Sequence, residues 1–465
     1  MQLSDDQQQA LDMVLTWFSG KTKTYEPFVL TGGAGTGKST IVSAILDALP
    51  LQKTDILMLA PTGTAVKNVQ LKTPGYPAQT ISSFIEKPYT VIDLIDNATG
   101  EKVKTLRSKK DVGQVDISLA DSPFNPDDYG YITALTSTVR QKGLRVDVNV
   151  GFKFRDDIET GFKLLIIDEW GMVSQEKADV LRQLGVPFLA LGDPYQLKPV
   201  GAVQNSLITD TSRTGYYHEL TTTHRQAGDN PVLAVATSAR QQKNWRQTAR
   251  QVAGSNVATV DISKLSKDRL ANLIARADVV LSASNASVRQ YNALGHQHVY
   301  DVDNDTVGLG EKILFTMNTH TKDQSGAPLF TNGTLGTINK IYQEYTEFGL
   351  AHVQVLVDGQ TTDVIINTLS LTDSRVSKST LNKSHSKAVQ DILAKRAYLE
   401  VKSLGGELDE IVYVAYGYAM TVHKSQGKEW ANVVFDADVP ARMRSNEAPL
   451  IYTGITRAKE NIIFI

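Results

Sequence analysis

The chain of 465 residues contains no cysteine, which excludes disulfides and any metal centre built on thiolates. It has no apolar run approaching the ~18 residues that cross a bilayer, so no membrane-spanning helix and no membrane partner are expected. The opening Met1-Gln2-Leu3-Ser4-Asp5-Asp6-Gln7 is polar and acidic and does not read as a secretory signal. A cytoplasmic protein is expected on these grounds. An excess of charge of one sign is missing too: 48 Lys and Arg stand against 50 Asp and Glu, for a net charge of −2. Any nucleic-acid binding must therefore come from local basic patches rather than a globally basic surface. No internal repeat and no low-complexity tract is found. A hydrophobic content of 41% with 21% charged residues is ordinary for a globular protein, and the length suggests about two to four domains.

What the sequence does contain is Gly32-Gly33-Ala34-Gly35-Thr36-Gly37-Lys38-Ser39, which fits the pattern G-x-x-x-x-G-K-[ST] at every specified position. Phe28-Val29-Leu30 reads as a buried strand entering the loop, and Ser39 to Leu49 as a helix leaving it. Glycines let the backbone wrap closely around phosphates with N–H groups pointing inward, and the helix N-terminus adds positive dipole. Gly33, Ala34, Gly35, Thr36 and Gly37 would cradle a nucleoside triphosphate. Lys38 would reach its β- and γ-phosphates and the Ser39 hydroxyl would hold Mg²⁺.

Further apolar runs end where chemistry can begin. Ile56 to Leu59 precedes Ala60-Pro61-Thr62-Gly63, Leu164 to Ile167 precedes Asp168-Glu169, and Phe188 to Leu191 precedes Gly192-Asp193. Continuous apolar strands separated by helical text indicate a parallel sheet covered on both faces, with ligands at the carboxyl ends of its strands. A second set, Val279-Val280-Leu281, Val412-Tyr413-Val414, Val433-Val434-Phe435 and Ile462 to Ile465, reads as a second α/β domain. Helical text from Asn230 to about Ala253 joins the two. Two insertions interrupt these sheets. The first, about Ile85 to Thr160, holds a hairpin-like pair of runs around Asn97-Ala98-Thr99-Gly100. The second, about Ile341 to Asp409, reads as strands of a small barrel followed by a basic helical segment near Lys387 to Lys402.

Asp168-Glu169 is the natural partner of the phosphate loop. A strand-terminal Asp holds Mg²⁺ through water, and the adjacent Glu orients and deprotonates the attacking water. Gln196, in Gly192-Asp193-Pro194-Tyr195-Gln196, stands where it could sense a γ-phosphate; a turn capped by Asp193 is the plainer reading. Arg225 and Arg457 stand in polar strand-end contexts. An arginine reaching the γ-phosphate from a neighbouring domain accelerates hydrolysis by about 10³ to 10⁵; a surface salt bridge is the alternative for either residue alone. Trp245, among Arg240, Lys243, Arg246 and Arg250, offers a base-stacking site or ordinary helix packing. The basic residues Lys102, Lys104, Arg107, Lys109 and Lys110 offer a DNA contact or a solvated charged loop.

Taken together, these segments resemble the superfamily 1 helicases, and within them the RecD/Dda-like group of superfamily 1B. Leu3 to Gln7 is similar to the group's Q motif, Thr31 to Thr40 to motif I, Ala60 to Ala65 to motif Ia and Gln79 to Phe84 to motif Ib. Asp168-Glu169 stands for motif II, Gly192 to Val200 for motif III and Leu220 to Gln226 for motif IV. Ala419 to Trp430 matches motif V and Tyr452 to Ala458 matches motif VI. One departure is Trp170, where the group carries a small residue after the acidic pair.

The resemblance implies two RecA-like parallel-sheet domains in tandem, residues 1–84 with 161–226 and 227–340 with 410–465. It further implies an inserted wedge candidate at 85–160 and a small β-barrel at 341–409. ATP would lie between the two main domains. Gln7 would read adenine and Gly427 would join the nucleotide site. Thr62, Thr80, His423 and Ser425 would lie near the DNA backbone, with helix capping as the alternative for the hydroxyls and a core role for the histidine. The implied activity is a 5′→3′ DNA helicase working on single strands and duplex junctions, with replication or recombination proteins as candidate partners. A translocase subunit that needs a partner to unwind is a second reading, and an ATP-dependent binding switch or P-loop kinase a third.

Overall fold

The structure, a computed structural model, describes residues 3–20, 26–106, 129–158, 160–199, 216–222, 230–254, 256–300, 306–319, 328–345, 349–371 and 411–465. It divides into two units, one of residues 1–80 with 160–465 and the other of 81–159.

The first unit begins with α1 (Asp5–Ser19), whose start is set by a capping box: the Ser4 hydroxyl accepts from the Gln7 N–H while the Gln7 side chain accepts from the Ser4 N–H. Then come β1 (Phe28–Gly32), α2 (Lys38–Ala48), β2 (Ile56–Ala60), α3 (Gly63–Lys72) and β3 (Ala78–Thr80). β1 and β2 are buried along their whole length, as their unbroken apolar text requires of strands covered on both faces.

The second unit runs through α4 (Ile81–Ile85), β4 (Glu86–Asp96), β5 (Lys102–Leu106), α5 (Tyr129–Arg140) and β6 (Leu144–Phe154). β4 is the middle strand of an antiparallel sheet ordered β5-β4-β6. Its tip is the turn expected at Asn97 to Gly100. The Asp96 carboxylate accepts the Ala98 and Thr99 N–H groups, each at 2.8 Å, and Gly100 takes a φ of 70° that a side chain would strain. One face of the sheet packs Ile92, Leu94 and Leu106 against Leu135 and Val139 of α5. Lys102 pairs with the buried Asp93 at 3.1 Å; Arg107, Lys109 and Lys110 lie outside the described residues.

Back in the first unit, β7 (Leu164–Ile167), α6 (Gln175–Gln183), β8 (Phe188–Gly192) and β9 (Tyr217–Leu220) complete a parallel six-stranded sheet ordered β3-β2-β7-β8-β1-β9. α7 (Pro231–Arg240) and α8 (Trp245–Gln251) lead to β10 (Val257–Thr259), α9 (Lys267–Arg276), β11 (Val279–Ser282) and α10 (Asn285–Tyr300). The Trp245 ring lies 5.0 Å from that of Phe464 with the Arg246 guanidinium 4.5 Å above it, so it packs the core instead of forming an open stacking platform.

Next, β12 (Lys312–Phe315), β13 (Leu335–Tyr345), β14 (Leu350–Val357), β15 (Gln360–Asn367) and β16 (Ile411–Tyr416) form a closed barrel. It draws strands from both sides of the 341–409 range read in the sequence, because β12 pairs with both β13 and β16 to close it. The segment 387–402 lies outside the described residues. Finally β17 (Ala419–Thr421), β18 (Trp430–Asp436), α11 (Glu447–Ile455) and β19 (Ala458–Phe464) complete a second parallel sheet ordered β10-β19-β18-β11-β17. The architecture is therefore two parallel α/β halves in tandem with a small barrel built into the second.

Candidate active site between the two parallel sheets

The phosphate loop leaves β1 and enters α2 as its spacing predicts. Gly35 and Gly37 both adopt φ of 79°, the left-handed region that lets successive N–H groups turn inward. The Thr36 hydroxyl donates to the Gly33 carbonyl at 3.0 Å and holds the loop closed on itself. Gln7 is buried, and its amide nitrogen donates to the Thr36 carbonyl at 3.5 Å, so α1 braces the loop. The Lys38 ammonium donates to the Gly32 and Gly33 carbonyls at 2.6 and 3.1 Å. The Ser39 hydroxyl accepts from Lys72 at 3.0 Å.

Asp168 and Glu169 follow β7, two strands from the loop. The Asp168 carboxylate accepts the Glu169 N–H at 2.9 Å. Glu169 has φ of 52°, a strained conformation for a residue with a side chain and one that concentrates at functional sites. Burial, and then the neighbouring Asp168 charge, push the Glu169 carboxyl up to about 7, against the opposing pull of Arg457 and Lys38. A carboxylate tuned near neutrality suits a general base. Trp170 is fully buried with its ring 5.3 Å from Phe188. The bulky residue packs inward against Phe188 and Gly192 of β8.

Motif III closes the cleft between the two halves. The Asp193 carboxylate accepts from the Tyr195 N–H at 3.0 Å, the Gln196 amide at 3.4 Å and the Tyr452 hydroxyl at 2.7 Å. Tyr452 belongs to α11 of the second half, and its oxygen also accepts the Ala34 N–H of the phosphate loop at 3.0 Å. Burial and the Asp193 carboxylate push the Tyr452 hydroxyl far above the ordinary phenol value, so it stays a donor. Two residues past Tyr195 in this loop the chain crosses over: Leu197 is buried in the second half's core. Its N–H donates to the Thr453 hydroxyl at 3.0 Å, and its carbonyl accepts from Gln426 at 3.0 Å. The Gln196 side-chain oxygen is buried with no hydrogen-bond partner among the described residues. An unfilled acceptor beside Asp193 fits a site that receives a water or another donor.

Arg457 is buried; it donates to the Thr453 carbonyl at 3.1 Å, the Lys428 carbonyl at 3.0 Å and the Thr456 hydroxyl at 3.0 Å. Arg225 lies outside the described residues. Thr62 caps α3, accepting the Ala65 N–H at 3.2 Å. Thr80 ends β3 and is half-buried. Ser425 is fully buried and donates to the Val422 carbonyl at 2.8 Å, so its hydroxyl serves its own turn in this structure. His423 is half-buried, and burial lowers its imidazole below the ordinary value. Gly427 has φ of 75° and its carbonyl accepts from Asn68 of α3, which places it against the motif Ia helix.

Four residues enter the site that the motifs did not single out. Tyr452 bridges the halves as described. Arg240 lies over Gly33. Lys424 and Lys428 form a half-buried cationic pair: burial lowers both ammonium groups, and the adjoining Lys424 charge helps bring Lys428 to about 8. Lys428 donates to the Gly333 carbonyl. Only their position inside the motif V stretch marked these lysines, and the sequence marked Arg240 only as one of the basic residues around Trp245, not as a phosphate contact.

Two α/β halves closing on a phosphate loop, with a paired Asp-Glu and a motif III strap, define an ATP hydrolase of the tandem RecA-like class. A family model described as an AAA domain matches residues 2–261, more than half of the chain, and a UvrD-like helicase C-terminal domain matches residues 416–465. The chain belongs to the AAA-domain family and carries a UvrD-like helicase C-terminal domain. An uncharacterized protein, R530, of Acanthamoeba polyphaga mimivirus is 21% identical, with 95% of this chain and 96% of that protein covered. Among solved structures, the Candida albicans Pif1 helicase is 16% identical, with 100% of this chain and 95% of that chain covered and a TM-score of 0.48. A Bacteroides Pif1 helicase in complex with ADP-AlF3 and single-stranded DNA is 16% identical, covering 100% and 92% of the two chains with a TM-score of 0.45. Among the described residues, no helix is long and apolar enough to cross a membrane.

Proposed function

We propose that this helicase moves 5′→3′ along single-stranded DNA and separates duplex ahead of it, driven by ATP with Mg²⁺. The observation that carries the motor reading is the motif III strap. Asp193, which accepts from Gln196, is linked through the Tyr452 hydroxyl to the Ala34 N–H of the phosphate loop, while Leu197, one residue past Gln196, is anchored in the second half's core. A change at the terminal phosphate is thereby coupled to the position of the second half. The polarity rests on the resemblance of the motifs to those of superfamily 1B.

In this reading the loop N–H groups and Lys38 hold the phosphates, and Glu169 takes the proton of the attacking water. Gln196 orients that water with its unfilled oxygen. The Ser39 hydroxyl and the Asp168 carboxylate would hold Mg²⁺; an all-oxygen set suits this hard cation, which neutralises phosphate charge when bound. Arg457 holds the motif V backbone and adds positive charge near Glu169. Gln7 and Gly427 serve the nucleotide site through the loop and through α3 respectively.

Thr62, Thr80 and His423 contribute to the DNA path, and Lys424 with Lys428 supplies its charge. Two half-buried ammonium groups side by side disfavour their own protonation, and a DNA phosphate relieves that cost. Because the Lys428 value of about 8 lies below that of an ordinary lysine, binding an anion above about pH 8 requires proton uptake. Affinity for single-stranded DNA is therefore expected to fall as pH rises from about 7 to 9, and Lys428→Ala is expected to flatten that dependence. Fluorescence anisotropy across this range checks it, and an affinity that does not change with pH in the unaltered protein would remove Lys428 from the path.

Strand displacement on duplexes carrying either a 5′ or a 3′ single-stranded tail tests the whole proposal. Displacement from the 5′-tailed substrate alone is the expected outcome. Displacement from the 3′ tail alone reverses the polarity, and DNA-stimulated hydrolysis without displacement favours a translocase that needs a partner. The β4–β5 hairpin is the strand-splitting candidate, because a wedge needs a stiff, exposed tip and no chemistry. Trimming Asn97 to Gly100 with its flanks should reduce unwinding sharply while DNA-stimulated ATP hydrolysis stays intact. Unwinding at the wild-type rate after trimming would assign the hairpin to folding or protein docking.

A further inference from the structure

We infer that Arg240, at the last position of α7, is a catalytic residue that contacts the terminal phosphates of bound nucleoside triphosphate from the second half of the molecule. The inference rests on the ATP-hydrolase reading of this cleft and adds to it a guanidinium that no sequence motif assigns.

Four observations converge on it. A Cβ placed on Gly33 would lie 2.6 Å from the Arg240 Nη1 atom and 3.7 Å from its Cζ, so the guanidinium lies directly against the phosphate loop. The same Cβ position is 3.3 Å from the Tyr452 hydroxyl, whose oxygen accepts the Ala34 N–H. An oxygen held by a phosphate-loop N–H stands in for a phosphate oxygen, and Arg240 is its neighbour. The guanidinium is held over the Tyr195 ring at 5.2 Å, which fixes its direction without using its N–H donors. It forms no hydrogen bond or ion pair among the described residues that would commit those donors elsewhere, in contrast to Arg457, whose donors are spent on the Thr453 and Lys428 carbonyls and the Thr456 hydroxyl.

The anchorage explains how the residue acts across the cleft. Val232, Val235, Ala236 and Ala239 of α7 are buried in one core with Val279, Leu281 and Phe435 of the second sheet. Arg240 therefore moves with the second half while touching the loop of the first. Its charge reaches the phosphates only while the two halves are closed, and a planar fork of donors complements phosphoryl oxygens. Tyr195 belongs to motif III, so the aromatic ring that aims Arg240 is itself part of the strap between the halves.

The test compares wild type, Arg240→Ala and Arg240→Lys in single-stranded-DNA-stimulated ATP hydrolysis, and in affinity for ADP alone and for ADP with aluminium fluoride. Arg240→Ala is expected to lower kcat by about 10²-fold or more, to leave ADP affinity within about threefold, and to lose the extra affinity conferred by aluminium fluoride. Arg240→Lys should restore part of that extra affinity, since it keeps the charge and loses the fork. Hydrolysis by Arg240→Ala within about threefold of an active wild type, or equal loss of ADP and ADP–aluminium fluoride binding, overturns the assignment. A wild type that hydrolyses no ATP would instead overturn the ATP reading itself. If either variant fails to fold, a structure of the unaltered protein with ADP and aluminium fluoride decides: a guanidinium more than about 3.5 Å from every fluoride and phosphate oxygen removes Arg240 from the site.

Discussion

Lys38→Ala is expected to reduce DNA-stimulated ATP hydrolysis by at least about 10²- to 10³-fold. The ammonium stands on the Gly32 and Gly33 carbonyls at 2.6 and 3.1 Å, at the mouth of the loop that receives the phosphates. Those carbonyls hold the charge in place, and a γ-phosphate offers it a stronger partner. Since charge on the phosphoryl oxygens is redistributed as the bond to the leaving group breaks, the lost ammonium costs rate as well as affinity. The fold should survive, because among the described residues Lys38 bonds only to backbone of its own loop, and the melting temperature should shift little. Steady-state hydrolysis beside a thermal melt checks both expectations; a folded variant keeping a tenth of the wild-type rate would refute the assignment.

Glu169→Gln should bind ATP and DNA and hydrolyse about 10²- to 10⁴-fold more slowly, since only the proton acceptor is lost. Glutamine is close in shape and meets the same strain at φ of 52°, so the backbone has no new reason to move. The raised value of about 7 adds a pH signature. Below that value Glu169 carries a proton and cannot take one from water, so kcat/KM of the wild type should climb with pH through about 7 and then level; the variant should lack that limb. The stability linkage has the opposite sense. With the folded value above the ordinary 4.5, folding takes up a proton, and Glu169's contribution to stability declines as pH rises from about 4.5 to 7. Glu169→Gln removes that decline, so at pH 8 its melting temperature should be no lower than that of wild type. A pH profile that keeps its acid limb in the variant would place the base elsewhere.

Both expectations come from motifs that act over short stretches of chain. The loop from Gly32 to Ser39 is legible because two glycines must take φ near 79° and the residues around them must be strand and helix. The acidic pair is legible because it ends an apolar strand. The hairpin at Asn97 to Gly100 is legible because turn chemistry is local. The hydroxyls assigned to DNA were harder. Thr62 and Ser425 are types that cap or close turns as readily as they meet phosphate, and the structure shows both engaged in such bonds. The barrel's extent was hidden as well, since its closing pairs join Lys312–Phe315 to Ile411–Tyr416 across about a hundred residues.

By itself the sequence determined that this is a chain of two parallel α/β halves, the first with a phosphate loop and an acidic pair at its strand ends, because strand burial, glycine conformation and helix starts are properties of neighbouring residues. Only the tertiary structure decided which side chains of the second half meet that loop. Tyr452 on the Ala34 N–H, Leu197 in the opposite core and Arg240 over Gly33 are contacts between residues hundreds of positions apart or on separate sheets. No spacing rule links such residues. The closure of one half on the other selects them, and the pH tuning of Glu169 follows from the burial and charges that closure brings together.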